Sequence, residues 1–184
     1  MKKLFLFILL FIPAIVFAEL VKTTVVDKME VLENGTVQVR QAIRVVEDGK
    51  VISQQFHRYV VLPGEDYSKR EAKVKAVCET VQTQAVIDAF KNPTTPEVVP
   101  GLVKQTKVSK IHILEDGTVV AEKKTEVLDS GKVIGSSVQR EKIVSGTDFM
   151  TKDAAIVDVC TVVQTKEVVD AYVAKYPVAE VVTK

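Results

Sequence analysis

The stretch that decides the fold is LENGTV at residues 32–37, because it recurs 82 residues later as LEDGTV at residues 114–119. Around it, residues 20–90 align with residues 102–172 without an insertion, and 28 of the 71 aligned positions are identical. A period of this length is typical of one structural unit present twice. We therefore expect a tandem duplication, with the second α+β repeat at 102–172 and the first at 19–90.

Two glycine-containing turns divide each repeat into three β-rich runs. Asn34-Gly35 and Asp116-Gly117 favour type I′ hairpins, since Asn or Asp before Gly tolerates a positive φ. Asp48-Gly49 and Ser130-Gly131 mark the second turn of each repeat. The six strands are predicted at residues 20–32, 36–46, 50–62, 102–114, 118–128 and 132–144.

Helices should follow the strands, because apolar residues then recur at the i, i+3, i+4 and i+7 spacing of a buried helix face. The two stripes are Val74, Val77, Cys78, Val81 and Ile156, Val159, Cys160, Val163. Ser68 and Glu71 fit a capping box, Thr151 is the expected cap in the second repeat, and Thr83 and Thr165 should cap a final short helix. The predicted fold class is α+β, in which each unit is a three-stranded antiparallel meander followed by one long and one short helix.

The ends of the chain and its middle predict segments outside the repeats. Residues 1–18 have a basic start, an apolar core and small residues before Glu19, which is typical of a signal peptide. Residues 91–101 (KNPTTPEVVPG) contain three prolines and predict a linker. Residues 173–184 are the expected C-terminal tail. The protein is thus expected to be exported, to a periplasm or the extracellular space.

The charge balance argues against a nucleic-acid or lipid partner. The chain has 25 basic and 24 acidic residues, and without Lys2 and Lys3 the balance is 23 − 24 = −1. A near-neutral chain has no general attraction to nucleic acid or to anionic membranes. Lys69, Arg70, Lys73 and Lys75 form a basic run that we interpret as a solvated helix face.

Cys78 and Cys160 are the only cysteines, and they occupy corresponding positions in the two repeats. A disulfide between them is permitted in an exported protein and would close a loop of about 80 residues. The alternative is that each is a small buried hydrophobe on its own helix, and the helical stripe favours this second interpretation. No second Cys or His lies at metal-ligand spacing, so no metal site is expected.

Two pairs of corresponding charged residues are the candidate binding surface. Arg58 and Arg140 share a strand face with apolar residues, either with their heads in water near the sheet margin or in contact with an anion or a carboxylate. Asp66 and Asp148 recur before the helices, where negative charge favours a helix N-terminus. There is no Gly-rich phosphate loop and no hydrolase motif, so we expect neither a cofactor nor a catalytic residue.

The stretch at 46–53, the Phe56-His57-Arg58 segment, residues 61–66 and the helix of Val74–Phe90 together resemble a family of short uncharacterised proteins encoded in tailed-phage and prophage genomes. Those proteins are similar to one copy of the unit, over about 45 residues. The Trp-Thr-Pro that is usual in that family is replaced here by Val81-Gln82-Thr83-Gln84. The resemblance implies a virion-associated or host-interaction role and no catalytic mechanism.

These observations lead to an expected function without enzymatic activity. We expect an exported two-module binding or assembly protein whose partner is another protein, either an envelope or a phage component. One alternative is a phage-derived virion-associated or accessory structural protein. The other is an enzyme or enzyme inhibitor in which Arg58, Arg140, Asp66 and Asp148 converge in a cleft between the repeats. Monomer and oligomer both remain open, as does a single sheet shared by the two repeats.

Overall fold

The computed structural model describes residues 19–93 and 100–177. The predicted signal peptide lies outside the described residues. So do residues 94–99 of the predicted linker and residues 178–184 of the predicted tail.

Ten elements follow one another in the order β-β-β-α-α, twice. The strands are β1 (Leu20–Leu32), β2 (Val37–Glu47), β3 (Lys50–Val61), β4 (Leu102–Leu114), β5 (Val119–Asp129) and β6 (Lys132–Ile143). The helices are α1 (Ala72–Val81), α2 (Gln84–Lys91), α3 (Ala154–Val163) and α4 (Lys166–Lys175). The α+β class is therefore confirmed. The element order suggests two units, while their origin by duplication stays a prediction.

All six strands form one antiparallel sheet in the order β3-β2-β1-β4-β5-β6. Each half is a three-stranded meander, and the halves join where β1 lies antiparallel to β4. This joint runs over five residue pairs, from Lys28 opposite Leu114 to Leu32 opposite Lys110. Its central pair is Glu30 opposite His112, so the two halves share one continuous sheet about this point.

The core lies between one face of the sheet and the helices. Side chains alternate between the two faces of a strand, and Met29, Val31, Ile111 and Ile113 of the joint are buried on the helix side. The predicted helical stripes join them, since seven of their eight residues are buried and the eighth, Val81, packs against the cluster. Helices α1 and α3 also pack against each other, directly over the joint.

The turns differ in type between the two hairpins of each half. Asp48 and Gly49 both have positive φ (46° and 78°), as a type I′ turn requires, and Ser130 and Gly131 repeat this geometry. At the first hairpin only Gly35 has a positive φ, of 81°. The prediction of type I′ turns at Asn34-Gly35 and Asp116-Gly117 is therefore wrong. The loop there is longer, and the Asn34 side chain accepts the backbone N–H of Thr36.

The predicted helix caps are also partly wrong. Helix α1 begins after Glu71 and α3 after Asp153, and neither Ser68 nor Thr151 caps them. Glu71 instead accepts hydrogen bonds from Tyr59 Oη, at 2.6 Å, and from the Gln41 amide, so it ties the start of α1 to the sheet. Thr83 and Thr165 do stand at the N-cap positions of α2 and α4, although without a side-chain hydrogen bond to the helix.

Candidate binding face of the sheet

The sheet has one face covered by α1 and α3, and we call the opposite one the open face. Residue parity and strand register place Lys28 and Glu30 of β1 on it, together with Arg40 of β2 and Arg58 of β3. Val60 and Phe56 of β3 lie there too and are exposed, at 45% and 53%. Large apolar side chains exposed on a surface are typical of a site that contacts a partner.

Glu30 and His112 form the centre of the open face. Glu30 forms an ion pair with Lys110 at 2.7 Å, and Lys28 Nζ lies 3.5 Å from the same carboxylate. His112 Nδ1 is 3.3 Å from the Glu30 carboxylate, although the two atoms are not aligned as a hydrogen bond. The other ring nitrogen, Nε2, lies 3.4 Å from Glu122 Oε1, so the imidazole stands between two carboxylates.

The charges of this cluster stabilise one another. Burial alone would raise the pKa of Glu30, but the hydrogen bond from Lys110 and the charges of His112, Lys110 and Lys28 together lower it. The hydrogen bond from Arg140 lowers the pKa of Glu122, with a further contribution from His112. The cluster therefore keeps both acids ionised, and its ion pairs hold neighbouring strands in register.

Cations outnumber acids on the strands of the open face. The basic residues there are Lys28, Arg40, Arg44, Arg58, Lys107, Lys110, Lys124, Arg140 and Lys142, and the acidic ones are Asp27, Glu30, Glu122 and Glu126. Nine positive and four negative charges leave an excess of five on the strands. Glu33 and Glu115 of the adjoining turns reduce it to three, since they pair with Lys107 at 2.6 Å and with Arg44 at 2.7 Å. Since the whole chain carries only +1, the rest of the molecule is acidic and the cations are concentrated here.

Apolar side chains lie among these cations on the outer strands. The Arg40 guanidinium lies over the Phe56 ring, 4.5 Å from its centroid, and Asp27 holds this arginine through a 2.7 Å ion pair. On β6 the corresponding apolar residue is Val138, which is 53% exposed. Aromatic and arginine side chains held in this way are common in the energetically dominant parts of protein interfaces.

Arg58 and Arg140 both lie on the open face, on the two outermost strands. They are separated by five strand spacings, or about 24 Å across the sheet. Arg140 Nε donates to Glu122 at 2.8 Å, which realises the carboxylate contact considered from the sequence. Arg58 lies exposed beside Arg40, its register partner, and no ion pair joins it to another residue described by the structure.

Asp66 and Asp148 lie away from these arginines, in the loops before α1 and α3. Asp66 accepts the backbone N–H of Ser68 at 2.8 Å, and the bonds from Ser68 lower the pKa of this carboxyl. Asp148 accepts the N–H of Met150 at 3.0 Å in the same way. Both acids shape their own loops, and the structure does not bring the four predicted residues together in one cleft.

Cys78 and Cys160 are free thiols, and both are fully buried in the core. The helices that carry them do pack together, as a disulfide would require, but the sulfurs are not bonded. Burial raises the pKa of both thiols to about 11, so they are protonated at neutral pH. The structure thus agrees with the second of the two interpretations drawn from the sequence, in which each cysteine is a small buried hydrophobe.

The sequence interpretation missed the Glu30–His112 cluster. Glu30 and His112 are 82 residues apart and therefore correspond to each other, and corresponding residues meet only at the axis that relates two like halves. The alignment alone did not indicate the joint, because Arg40 and Glu122 also align a basic residue with an acid and lie outside it. The interpretation of Lys73 as part of a solvated face is wrong, because its Nζ donates to the carbonyl of Leu114 at 3.1 Å.

Two further features bear on the kind of site. Over residues 19–93 and 100–177, no group of three or more His, Cys, Asp or Glu side chains is arranged to hold a metal ion. Each helix in this same part of the chain is too short or too polar to span a lipid bilayer.

The chain was compared with known protein families, with curated proteins and with solved structures, and it matches none of them. The fold and the arrangement of its side chains are therefore the grounds for assigning a function.

Proposed function

We propose that this chain is an exported, non-enzymatic binding or assembly protein that docks an acidic partner protein on the open face of its sheet. The single observation that carries the proposal is the composition of that face. It combines an excess of three positive charges, once the paired Glu33 and Glu115 are counted, with exposed apolar side chains on both outer strands. Such a surface favours a partner that has acidic side chains around an apolar patch.

Charge complementarity decides in favour of a protein over nucleic acid or lipid. Four acids are interleaved with the nine cations of the open face, and two of them, Glu30 and Glu122, lie at the centre of this face. A phosphate backbone or an anionic lipid surface would be repelled by these carboxylates, whereas a protein can place a Lys or Arg opposite them. The arrangement is therefore one of mixed charges, which is suited to a specific partner.

The two halves extend this surface. We propose that the order β-β-β-α-α arose by duplication, and the 28 identities among 71 aligned positions support this origin. Placing the halves about the joint gives one continuous face instead of two separate ones. A partner with two like modules of its own would bind the whole face more tightly than it would bind either half of the face alone.

Site-specific crosslinking tests the proposal. A photoreactive residue at Val60 or at Val138 should give a discrete adduct in producing cells, with a protein whose surface is acidic. The double variant Arg58→Glu/Arg140→Glu should abolish the adduct, because it lowers the net charge of the face by four units. An adduct that is unchanged in this variant contradicts the proposal.

The control is the double variant Lys69→Glu/Lys175→Glu, which makes the same change in net charge. Both lysines are exposed and lie outside the strands of the sheet. This variant should retain the adduct. If the adduct were lost in both variants, binding would depend on net charge alone. That result would also contradict binding at a specific face.

A second candidate is a phage- or prophage-derived virion-associated or accessory protein. Its support is the resemblance of the segment from Val46 to Asp66, with the following helix, to short proteins of tailed phages. Sequencing of the flanking genes tests it. Neighbouring tail or capsid genes would favour this candidate, and neighbouring envelope-maintenance genes would count against it.

Export is part of the proposal and has its own measurement. Cleavage after Ala18 would leave Glu19 as the first residue. N-terminal sequencing of the protein from the producing cell should therefore begin at Glu19, and a retained Met1 would contradict export by this route.

A further inference from the structure

The two halves of the molecule carry different residues at the position of Lys73. Helix α1 carries Lys73, and the corresponding residue of α3, 82 positions on, is Ala155. The Lys73 side chain crosses to the other half, where its Nζ donates to the backbone carbonyl of Leu114 at the end of β4. The residue that corresponds to Leu114 is Leu32, at the end of β1. No lysine reaches that carbonyl from α3, because Ala155 ends at its methyl group.

A groove occupies the place that a lysine at 155 would fill. Its volume is about 280 Å³, and its lining includes both Ala155 and Leu32. Val81 and Val108 supply apolar wall, and Glu33 and Asp158 supply carboxylates. The groove thus joins the surfaces that Lys73 joins in the other half, with the connecting side chain absent.

The acidic groups around the two positions correspond in number. The charges of Glu115 and Asp116 act on the Lys73 ammonium and oppose the effect of burial, which lowers the pKa of Lys73. At the groove, Glu33 corresponds to Glu115 and Asn34 replaces Asp116. Glu33 also pairs with Lys107 at 2.6 Å, just as Glu115 pairs with Arg44 at 2.7 Å beside Lys73. Asp158, which replaces Ala76 of α1, restores the second carboxylate.

Lys110 also lines the groove, and its positive charge would repel a cation there. This lysine is paired with Glu30 at 2.7 Å. The corresponding Lys28 lies in register with Leu114, whose carbonyl Lys73 binds, so the other half already accommodates an ammonium beside a lysine.

We propose that this groove binds a primary alkylammonium group, which takes the place that the Lys73 side chain has in the other half. The ammonium lies at the Leu32 carbonyl near Glu33 and Asp158, and an alkyl stem of about four carbons lies along Val81 and Val108. The source of the group is either a free aliphatic amine or a lysine side chain of a peptide. The proposal does not depend on the partner of the open face.

Titration of the purified, isotope-labelled protein with n-butylammonium chloride, followed by NMR, tests the proposal. Saturable shifts are expected for the backbone amides of Glu33, Ala155 and Asp158, with a dissociation constant on the order of 1–10 mM for so small a ligand. Shifts that fail to saturate, or that are scattered over the surface, overturn the proposal. n-Butanol, which has the same stem and no charge, should bind at least about tenfold more weakly; equal binding also overturns it.

Two variants make opposite predictions for the same titration. Ala155→Lys should fill the groove with a side chain of the protein itself and abolish the shifts. Lys73→Ala should open the corresponding groove and add a second set of saturable shifts, at Glu115 and Asp116. Unchanged binding in Ala155→Lys overturns the proposal even if Lys73→Ala proves too unstable to titrate.

Comparison of two further ligands distinguishes the sources. 1,5-Diaminopentane represents a free amine, and Nα-acetyl-lysine-N-methylamide represents a lysine within a peptide. Tighter binding of the diamine assigns the groove to free amines, and tighter binding of the lysine derivative assigns it to a peptide. If neither ligand causes shifts at Glu33 and Asp158, the proposal fails.

Discussion

Glu30 and His112 lie directly opposite each other at the joint of β1 and β4, with Glu30 Oε2 3.3 Å from His112 Nδ1. Each occupies the position in its half that the other occupies in the second half, so the pair marks the centre of the molecule. The same position carries an acid in one half and an imidazole in the other, which allows the two halves to attract each other at a point where identical charged residues would repel.

The acid of this pair should make stability depend on pH. The pKa of Glu30 in the folded protein is lowered from its usual 4.5. Its contribution is therefore fully present above that value and is lost as the pH falls through the lower, folded-state pKa. Glu30→Gln should reduce the free energy of unfolding at neutral pH by about 1–3 kcal/mol, since Lys110 and His112 lose a partly buried partner.

Urea unfolding over a series of pH values measures this effect. The difference between wild type and Glu30→Gln should shrink as the pH falls below about 4.5. Glu33→Gln is the matched control, because Glu33 pairs with Lys107 at an exposed position, where an ion pair is worth about 0–1 kcal/mol. A constant difference at all pH values would show that the charge of Glu30 is not what stabilises the joint.

Gly35 should tolerate no side chain. Its φ is +81°, and a Cβ built there would collide with Cγ1 of Val86 in α2. Gly49 has a similar φ of +78° but nothing within 4 Å of the same position. Gly49→Ala therefore measures the backbone cost alone, about 1–2 kcal/mol. Gly35→Ala should cost about 1–3 kcal/mol more, because α2 must move.

Thermal or urea unfolding of the two glycine variants gives the comparison. The double variant Gly35→Ala/Val86→Ala should recover part of the extra loss, since it removes the colliding methyl. Equal destabilisation by Gly35→Ala and Gly49→Ala would mean that α2 does not pack on the first hairpin as described.

The two thiols should be unreactive in the folded protein and free once it unfolds. Both are buried, and burial raises the pKa of each to about 11, so little thiolate exists at neutral pH. A thiol-specific disulfide reagent should react only slowly with the native protein. In denaturant it should react readily with both cysteines. Absence of reactive thiols in denaturant, until a reductant is added, would indicate a Cys78–Cys160 disulfide after all.

Gln82 should contribute more to stability than the corresponding Gln164. Gln82 is 5% exposed, and its amide donates to the carbonyls of Gly35, at 3.1 Å, and Val61, at 3.4 Å, so it ties the end of α1 to the first hairpin loop and to β3. Gln82→Met should leave these buried carbonyls without that donor and cost about 1–3 kcal/mol. Gln164→Met, at a half-buried position, should cost less. Denaturant unfolding of both variants checks the order.

The strands and long helices could be predicted because their patterns are local. Turn residues such as Asp48-Gly49 require particular backbone angles, and the stripe from Val74 to Val81 requires a covered helix face. The strand limits agree to within one residue. The helix caps could not be predicted in the same way, because the Glu71 carboxylate is taken by Tyr59 and Gln41 of the sheet, which are distant in the sequence.

The candidate site was harder to predict than the fold. Arg58 and Arg140 share a strand face with apolar residues in the sequence pattern, yet alternation alone does not say which face of a strand the helices will cover. Nor does it say which strands meet at the joint, since β1 could pair with β4 or present a free edge. Lys73 illustrates the same limit, because its burial depends on Leu114, 41 residues away.

The joint between β1 and β4 is short, and this affects how two copies of the chain could associate. Only five residue pairs connect β1 to β4, whereas each pairing within a meander has eleven. Ten residues separate the end of α2 from the start of β4. Two chains could exchange halves and form the same contacts between molecules that one chain forms within itself, which is a domain swap. Shortening this connection should therefore favour intertwined dimers over separate chains.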